Sequence, residues 1–282
     1  MPRPKQGHSN NASRWAVLRD NLMTAIQSIM YEPLPITLEL LQKALDSMSK
    51  LGLSPYFAES EKVGKPEKAH HAIKYPDRTE YLGVPRILSY DDDSIEFVSK
   101  VLSSQKSYGD RPPELSFYTK SNLKNFRHTV RFYTRPDGIH TILNYVATQG
   151  GDRAPTARVL LELSKQLFEI FKPIYTSIDF QYKSDPQSIK KSLQTRRIQE
   201  LYWANLFALE YVRTYGREFF LNAPVWKVEE LSNGGILIQL SAEISPASEK
   251  AINVEKIARY FQEAGLKSIS WPTNRYFRFP KV

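Results

Sequence analysis

Five histidines and a complete lack of cysteine bound the chemistry open to this chain of 282 residues. Without thiols there is no disulfide framework, no thiolate zinc site and no cysteine nucleophile. His8 lies in a polar tail. His70 and His71 are adjacent, so a regular element cannot turn both to one site. His128 and His140 fall on opposite arms of a predicted hairpin, where cross-strand neighbours can share a metal. No third ligand is evident for them, and a sheet-surface role is the simpler reading. The run Asp91-Asp92-Asp93 lacks the spaced ligands and glycine turn of a calcium loop. Asp93 with Glu96 reads instead as a helix-capping pair. Gly150-Gly151-Asp152-Arg153 can present amides to an anion at a helix N-terminus. The Asp152 carboxylate would repel that anion, however, and fits better as an N-cap. Glu229 and Glu230, neighbours on a strand, point to opposite faces and make a poor acid–base pair. Neither a nucleophile elbow nor a phosphate loop occurs. The residues therefore assign no catalytic group, no metal ligand and no cofactor, and the expectation is a protein that is not an enzyme.

Charge and aromatics point to binding. The net charge is +9, which favours contact with nucleic acid, an anionic surface or an acidic protein. The cations are dispersed, in groups such as Lys190/Lys191, Arg196/Arg197 and Arg275/Arg278/Lys281, and no long run of like charge forms. Sixteen Tyr, fourteen Phe and four Trp are enough to stack bases beside Arg and Lys. Arg131-Phe132-Tyr133 and Tyr276-Phe277-Arg278-Phe279 are the best candidates for that role. Packing under helices is the ordinary use of one aromatic set on an alternating strand. No apolar run reaches the roughly 20 residues of a membrane helix, and Met1–Asn11 has no apolar signal core. The expectation is a cytoplasmic protein with no membrane partner.

These residues must be carried by elements that the patterns outline. Residues 1–14 read as a disordered basic tail, and 15–282 as a single domain. The first element, Leu22–Tyr31, reads as a strand, with a helical reading of Trp15, Leu18, Leu22, Ile26 and Ile29 left open. A helix follows over Ile36–Leu51, with Gly52 beyond its end. Tyr56–Ala58 forms a short strand, and a long charged loop spans about 60–90. Strands follow at Glu114–Thr119, His128–Thr134 and Ile139–Ala147, the last two closed by Arg135-Pro136-Asp137-Gly138 as a hairpin. A helix over Ala154–Phe171 stops at Pro173 and leads to a strand at Ile174–Tyr182. The pattern then predicts a polar connector over Lys183–Ser192 and a helix from Thr195 to Tyr215. Next come a hairpin of Val225–Leu231 with Ile236–Ser241, a helix over Val254–Ala264, and a closing strand at Ser268–Trp271. Trp226, on the first arm of that hairpin, is expected in the core. The fold class is α+β: a mostly antiparallel sheet with helices packed on it, built from β-α-β and β-β-α-β units.

Three patches carry a resemblance. Leu22–Tyr31, the helix Ile36–Leu51 and Leu53-Ser-Pro-Tyr-Phe-Ala58 form the first. The hairpin His128–Ala147 with the following helix and strand forms the second. The third is Trp203-Ala-Asn-Leu-Phe207, Tyr215-Gly216-Arg217, Ala223-Pro-Val-Trp-Lys-Val-Glu-Glu-Leu231 and Gly234-Gly-Ile-Leu-Ile-Gln-Leu240. Together they resemble the immunity proteins of bacterial polymorphic-toxin and type VI secretion systems, and more narrowly the family called immunity protein fifty-two. The third patch is the most specific; the other two are architectural. The resemblance implies a cognate toxin as partner and a mechanism of occlusion, in which the chain covers the toxin's active site without chemistry of its own. It also marks Trp203, Tyr211 and Arg217 as partner-binding candidates. The bland alternative has Trp203 in the core and Arg217 paired to an acidic neighbour such as Glu218 or Glu229. Residues 60–113 are longer and more charged than that family's pattern, and the basic balance is unusual for a protein that blocks a nuclease. The net charge keeps a nucleic-acid-binding protein of a phage or defence system as the alternative function.

Overall fold

The computed structural model describes residues 25–59, 63–68, 71–74, 79–82, 86–89, 95–96, 99, 115–120, 126–134, 139–148, 153–180, 186–244, 253–269 and 277–278. The tail at 1–14, Asp91–Asp93, the turn at 135–138 and Asp152 lie outside them.

The first strand, β1 (Ala25–Tyr31), is buried on both faces and so shows no apolar alternation. Pro33 and Pro35 break the chain, and Thr37 caps α1 (Leu38–Lys50) by accepting the Leu40 N–H at 3.2 Å. Leu41, Ala44, Leu45 and Met48 form its buried stripe. There follow β2 (Ser54–Glu59), a 3₁₀ turn at Pro66–Lys68, β3 (His71–Lys74), β4 (Thr79–Leu82) and β5 (Arg86–Ser89). The charged segment expected as a long loop thus holds three strands. Its four-residue strands are too short to show periodicity through so many Lys, Glu and Pro residues. The meander β6 (Leu115–Lys120), β7 (Phe126–Thr134) and β8 (His140–Thr148) appears as expected, and α2 (Arg153–Phe171) and β9 (Tyr175–Phe180) follow it.

The next stretch departs from the pattern reading. Instead of a connector and one long helix, the chain forms α3 (Pro186–Thr195), β10 (Glu200–Leu201), β11 (Ala204–Phe207) and α4 (Leu209–Tyr215). Pro186 opens α3, where a missing N–H costs nothing. Leu201–Phe207 is buried throughout, so this run shows no strand alternation and mimics a helix. After α5 (Arg217–Leu221), β12 (Lys227–Glu230) and β13 (Ile236–Gln239) form the predicted hairpin. The chain continues through α6 (Val254–Phe261) and β14 (Ser268–Ile269), and a further strand, β15 (Phe277–Arg278), follows the one expected to be last.

Ten strands form one sheet in the order β12-β13-β11-β9-β1-β8-β7-β6-β2-β5, with every neighbouring pair antiparallel. The molecule is therefore α+β, with helices packed on a mainly antiparallel sheet. One face carries Ile26, Met30, Val130, Phe132, Ile142, Val146 and Ile178 against α1 and α2. Helix α2 crosses the centre of the sheet, where Ser164 Oγ donates to Ser28 Oγ at 2.8 Å. The opposite face, at the β11-β13-β12 end, carries Phe207, Ile236 and Ile238 against Tyr211, Phe220, Ile257 and Phe261 from α4, α5 and α6. Two small sheets, β10-β14-β15 and β3-β4, complete the strands.

Candidate functional site

The partner-binding candidates all fall in the unit from β10 to β13, and the structure separates them. Trp203 stands between β10 and β11 and is 3% exposed. Its indole N–H donates to Ser241 O at 3.1 Å, and its own carbonyl accepts the Leu240 N–H at 2.9 Å. Such a buried Trp, with its polar handle satisfied, is a packing residue. Tyr211 on α4 is 2% exposed and sits 5.3 Å from Phe207, ring to ring. Burial raises its hydroxyl pKa far above the ordinary value, so it stays neutral. Neither Trp203 nor Tyr211 presents surface to a partner in this conformation. Tyr211 packs in the cluster of Phe207 and Phe220, whereas Trp203 belongs to the core on the α2 side of the sheet.

Arg217 is the exposed member. Gly216, at φ 87°, separates α4 from α5 and places Arg217 on the first turn of α5. The guanidinium forks onto Glu230, with Nε donating to Oε2 at 2.7 Å, and also donates to Glu218 at 3.2 Å. Those hydrogen bonds raise the Arg217 pKa and hold the Glu230 carboxyl below the usual carboxylate range. Of the two acidic neighbours expected for Arg217, Glu218 is present and Glu229 is not. Strand alternation sends Glu229 to the other face, where Lys165 and Lys227 bind it. Partial burial pushes Glu229 up, but the two lysines outweigh it and its pKa is lowered.

Trp226 corrects the sequence reading most sharply. It lies in the bend before β12 and is 55% exposed rather than buried. Among the described residues it and Leu34 are the exposed large hydrophobics. No periodic signal separates Trp226 from a core strand residue. It stands just before β12, the last strand of the sheet. The surface at this end thus holds an exposed indole before the short edge strand and, at that strand's other end, Glu230 bonded to the exposed Arg217 of α5.

Two clefts lie on the far side of α4. The first, of about 30 Å³, is lined by Tyr31, Tyr175, Tyr202 and Tyr211 with Arg197 and Glu200. Tyr175 donates to Asn205 Oδ1 at 2.7 Å, and Tyr202 donates to Glu200. Asn205 also bridges the Tyr202 backbone, accepting its N–H at 3.0 Å and donating to its carbonyl at 2.8 Å, which fixes the break between β10 and β11. The second cleft, of about 270 Å³, has Glu32, Lys190 and Arg196 around Ile139, Ile174 and Leu193.

The histidines do not converge. His128 pairs with Val146 and His140 with Thr134, so the two stand six residues apart along β7, roughly 20 Å. His128 is buried against Thr119 Oγ1 at 3.1 Å, and burial pushes its pKa down to about 4. Among the described residues no group of three His, Asp or Glu side chains could hold a metal. In the aromatic–basic triplet, Phe132 enters the core while Arg131 is exposed on the opposite face. No helix among the described residues is long and apolar enough to cross a membrane.

No family model matches the sequence, and no curated protein matches it. Among solved structures, the chain is similar to the Pseudomonas aeruginosa T6SS protein PA0821, at 13% identity and a TM-score of 0.46, over 90% of this chain and 82% of that one. It is also similar to the Trypanosoma brucei AdoMetDC-delta26 monomer, at 9% identity and a TM-score of 0.23, over 84% and 80% of the two chains.

Proposed function

We propose that this chain is a non-enzymatic immunity protein that binds a cognate bacterial toxin and covers its active site. The observation that carries the reading is the exposed Trp226 before the edge strand β12, whose far end holds Glu230 against the exposed Arg217 of α5. Protein interfaces draw most of their energy from a few Trp, Tyr and Arg anchors, and this edge offers two of those types within one short segment. The segment is also the one whose sequence most resembles the immunity proteins. Its charged side chains are paired within the chain, Arg217 with Glu230 and Lys227 with Glu229. The test is growth rescue. The toxic domain of a secreted protein encoded beside this chain is expressed alone, with the chain, and with a Trp226→Ala/Arg217→Ala variant. Rescue by the natural chain and failure of the variant is the expected result. Rescue that is indifferent to both substitutions would remove this edge from the contact.

One observation favours a second reading. Strands β1, β6, β7 and β8 contain no Asp or Glu but carry Lys120, Arg127 and Arg131. By contrast, β12 carries one Lys against two Glu, Lys227 with Glu229 and Glu230. A nucleic-acid contact would therefore use the other half of the sheet, and its affinity would fall steeply with salt.

A further inference from the structure

Strand β12 ends the ten-stranded sheet, and no strand among the described residues pairs with its outward side. The Leu231 N–H bonds to Gly235 O at 2.8 Å, which sets the phase of the β12–β13 ladder. Lys227 and Glu229 then exchange backbone bonds with Gln239 and Leu237, while Val228 and Glu230 turn their N–H and C=O away from the sheet. An extended backbone is the natural complement of such a row.

The side chains state which backbone fits. We propose that two copies of this chain pair through β12, antiparallel about a two-fold axis at Val228, so that Lys227 of each copy faces Glu229 of the other. With the axis at Val228, the two Val228 residues exchange N–H and C=O groups, both of which already point outward. Lys227 and Glu229 share one sheet face, so the pairing creates two opposite-charge cross-strand contacts by symmetry. Moving the axis one residue either way sets Lys227 against Lys227 or Glu229 against Glu229, which is repulsive. Among these three registers, charge selects the one centred on Val228.

The same register accounts for the exposed indole. Trp226 comes opposite Glu230 of the second copy, on the face where Arg217 forks onto that carboxylate. The Trp ring would lie beside the Arg217 guanidinium of the second copy, a cation–π arrangement. Each Trp is then covered, and two ten-stranded sheets join into one. This inference does not depend on the toxin reading; a toxin that engages Trp226 has to displace the second copy.

The test uses the full chain alone, in sedimentation equilibrium over a micromolar dilution series. The natural chain sediments as a dimer. Lys227→Glu and Glu229→Lys each place like charges across the axis and weaken self-association by roughly 10- to 100-fold. Mixed together, each supplies the charge the other lacks, and a heterodimer forms. Val228→Pro removes an outward N–H while leaving the bonds to β13 intact, and it also yields a monomer with an unchanged circular dichroism spectrum. A natural chain that stays monomeric throughout overturns the proposal. So does a dimer that survives Val228→Pro, or a pair of charge variants that stays monomeric when mixed.

Discussion

At the scale of single residues, His128 and the exposed pair at β12 make opposite predictions about stability. The His128 imidazole is buried and its pKa lies at about 4, against an ordinary value near 6.5. The unfolded chain therefore binds a proton below pH 6.5 that the folded chain refuses. The stability tied to neutral His128 is complete above pH 6.5 and is lost as pH falls toward 4, to a total of about 3 kcal/mol. Urea midpoints measured from pH 7.5 to 4 should fall across that window, and His128→Gln should flatten the fall. Trp226→Ala, by contrast, should shift unfolding by no more than about 0.5 kcal/mol, because the ring is mostly in solvent. Arg217→Ala should leave the thermal midpoint unmoved, since its ion pairs are exposed. Loss of binding in either variant then reports on the contact and not on the fold.

At the scale of elements, what could be read from sequence divides by length and exposure. Helices α1 and α2 were legible because a buried stripe recurs over three or more turns, with Thr37 and Gly52 bounding α1 and Pro173 ending α2. The hairpins at β7–β8 and β12–β13 were legible from their turns. Strand β11 was not, because Ala204-Asn-Leu-Phe207 is covered on both faces and the period of two disappears. Its one polar residue, Asn205, is spent on the Tyr202 backbone and the Tyr175 hydroxyl, a use with no local signature. The site divided in the same way. Arg217 was recognisable as a surface cation; Trp203 takes the core place its alternative reading gave it, and Trp226, expected in the core, is exposed. The β12–β13 turn gives a direct check. A Cβ on Gly235 would stand 2.7 Å from Phe207 O, a backbone atom that cannot swing aside. Gly235→Ala should cost about 1–3 kcal/mol and loosen the hairpin, seen as faster amide exchange at Lys227–Glu230. Phe220→Ala, beneath the same edge, should cost about 3–5 kcal/mol in a chemical-denaturation series.

At the scale of the whole molecule, the sheet has two unlike halves. The β12 end is nearly charge-balanced, rigidly ion-paired and bears the exposed indole. The β1-β8-β7-β6 half is free of carboxylates on its strands, which carry Lys120, Arg127 and Arg131. A protein partner suits the first half and a polyanion the second, so the chain's net charge by itself does not choose between them. The most direct measurement is capture of partners by the tagged full chain from its native host, after nuclease treatment and across rising salt, beside the Trp226→Ala variant. The account predicts one large secreted-type protein that survives nuclease and moderate salt with the natural chain and is lost with Trp226→Ala. Recovery of nucleic acid alone, released as salt rises and indifferent to Trp226, would contradict it.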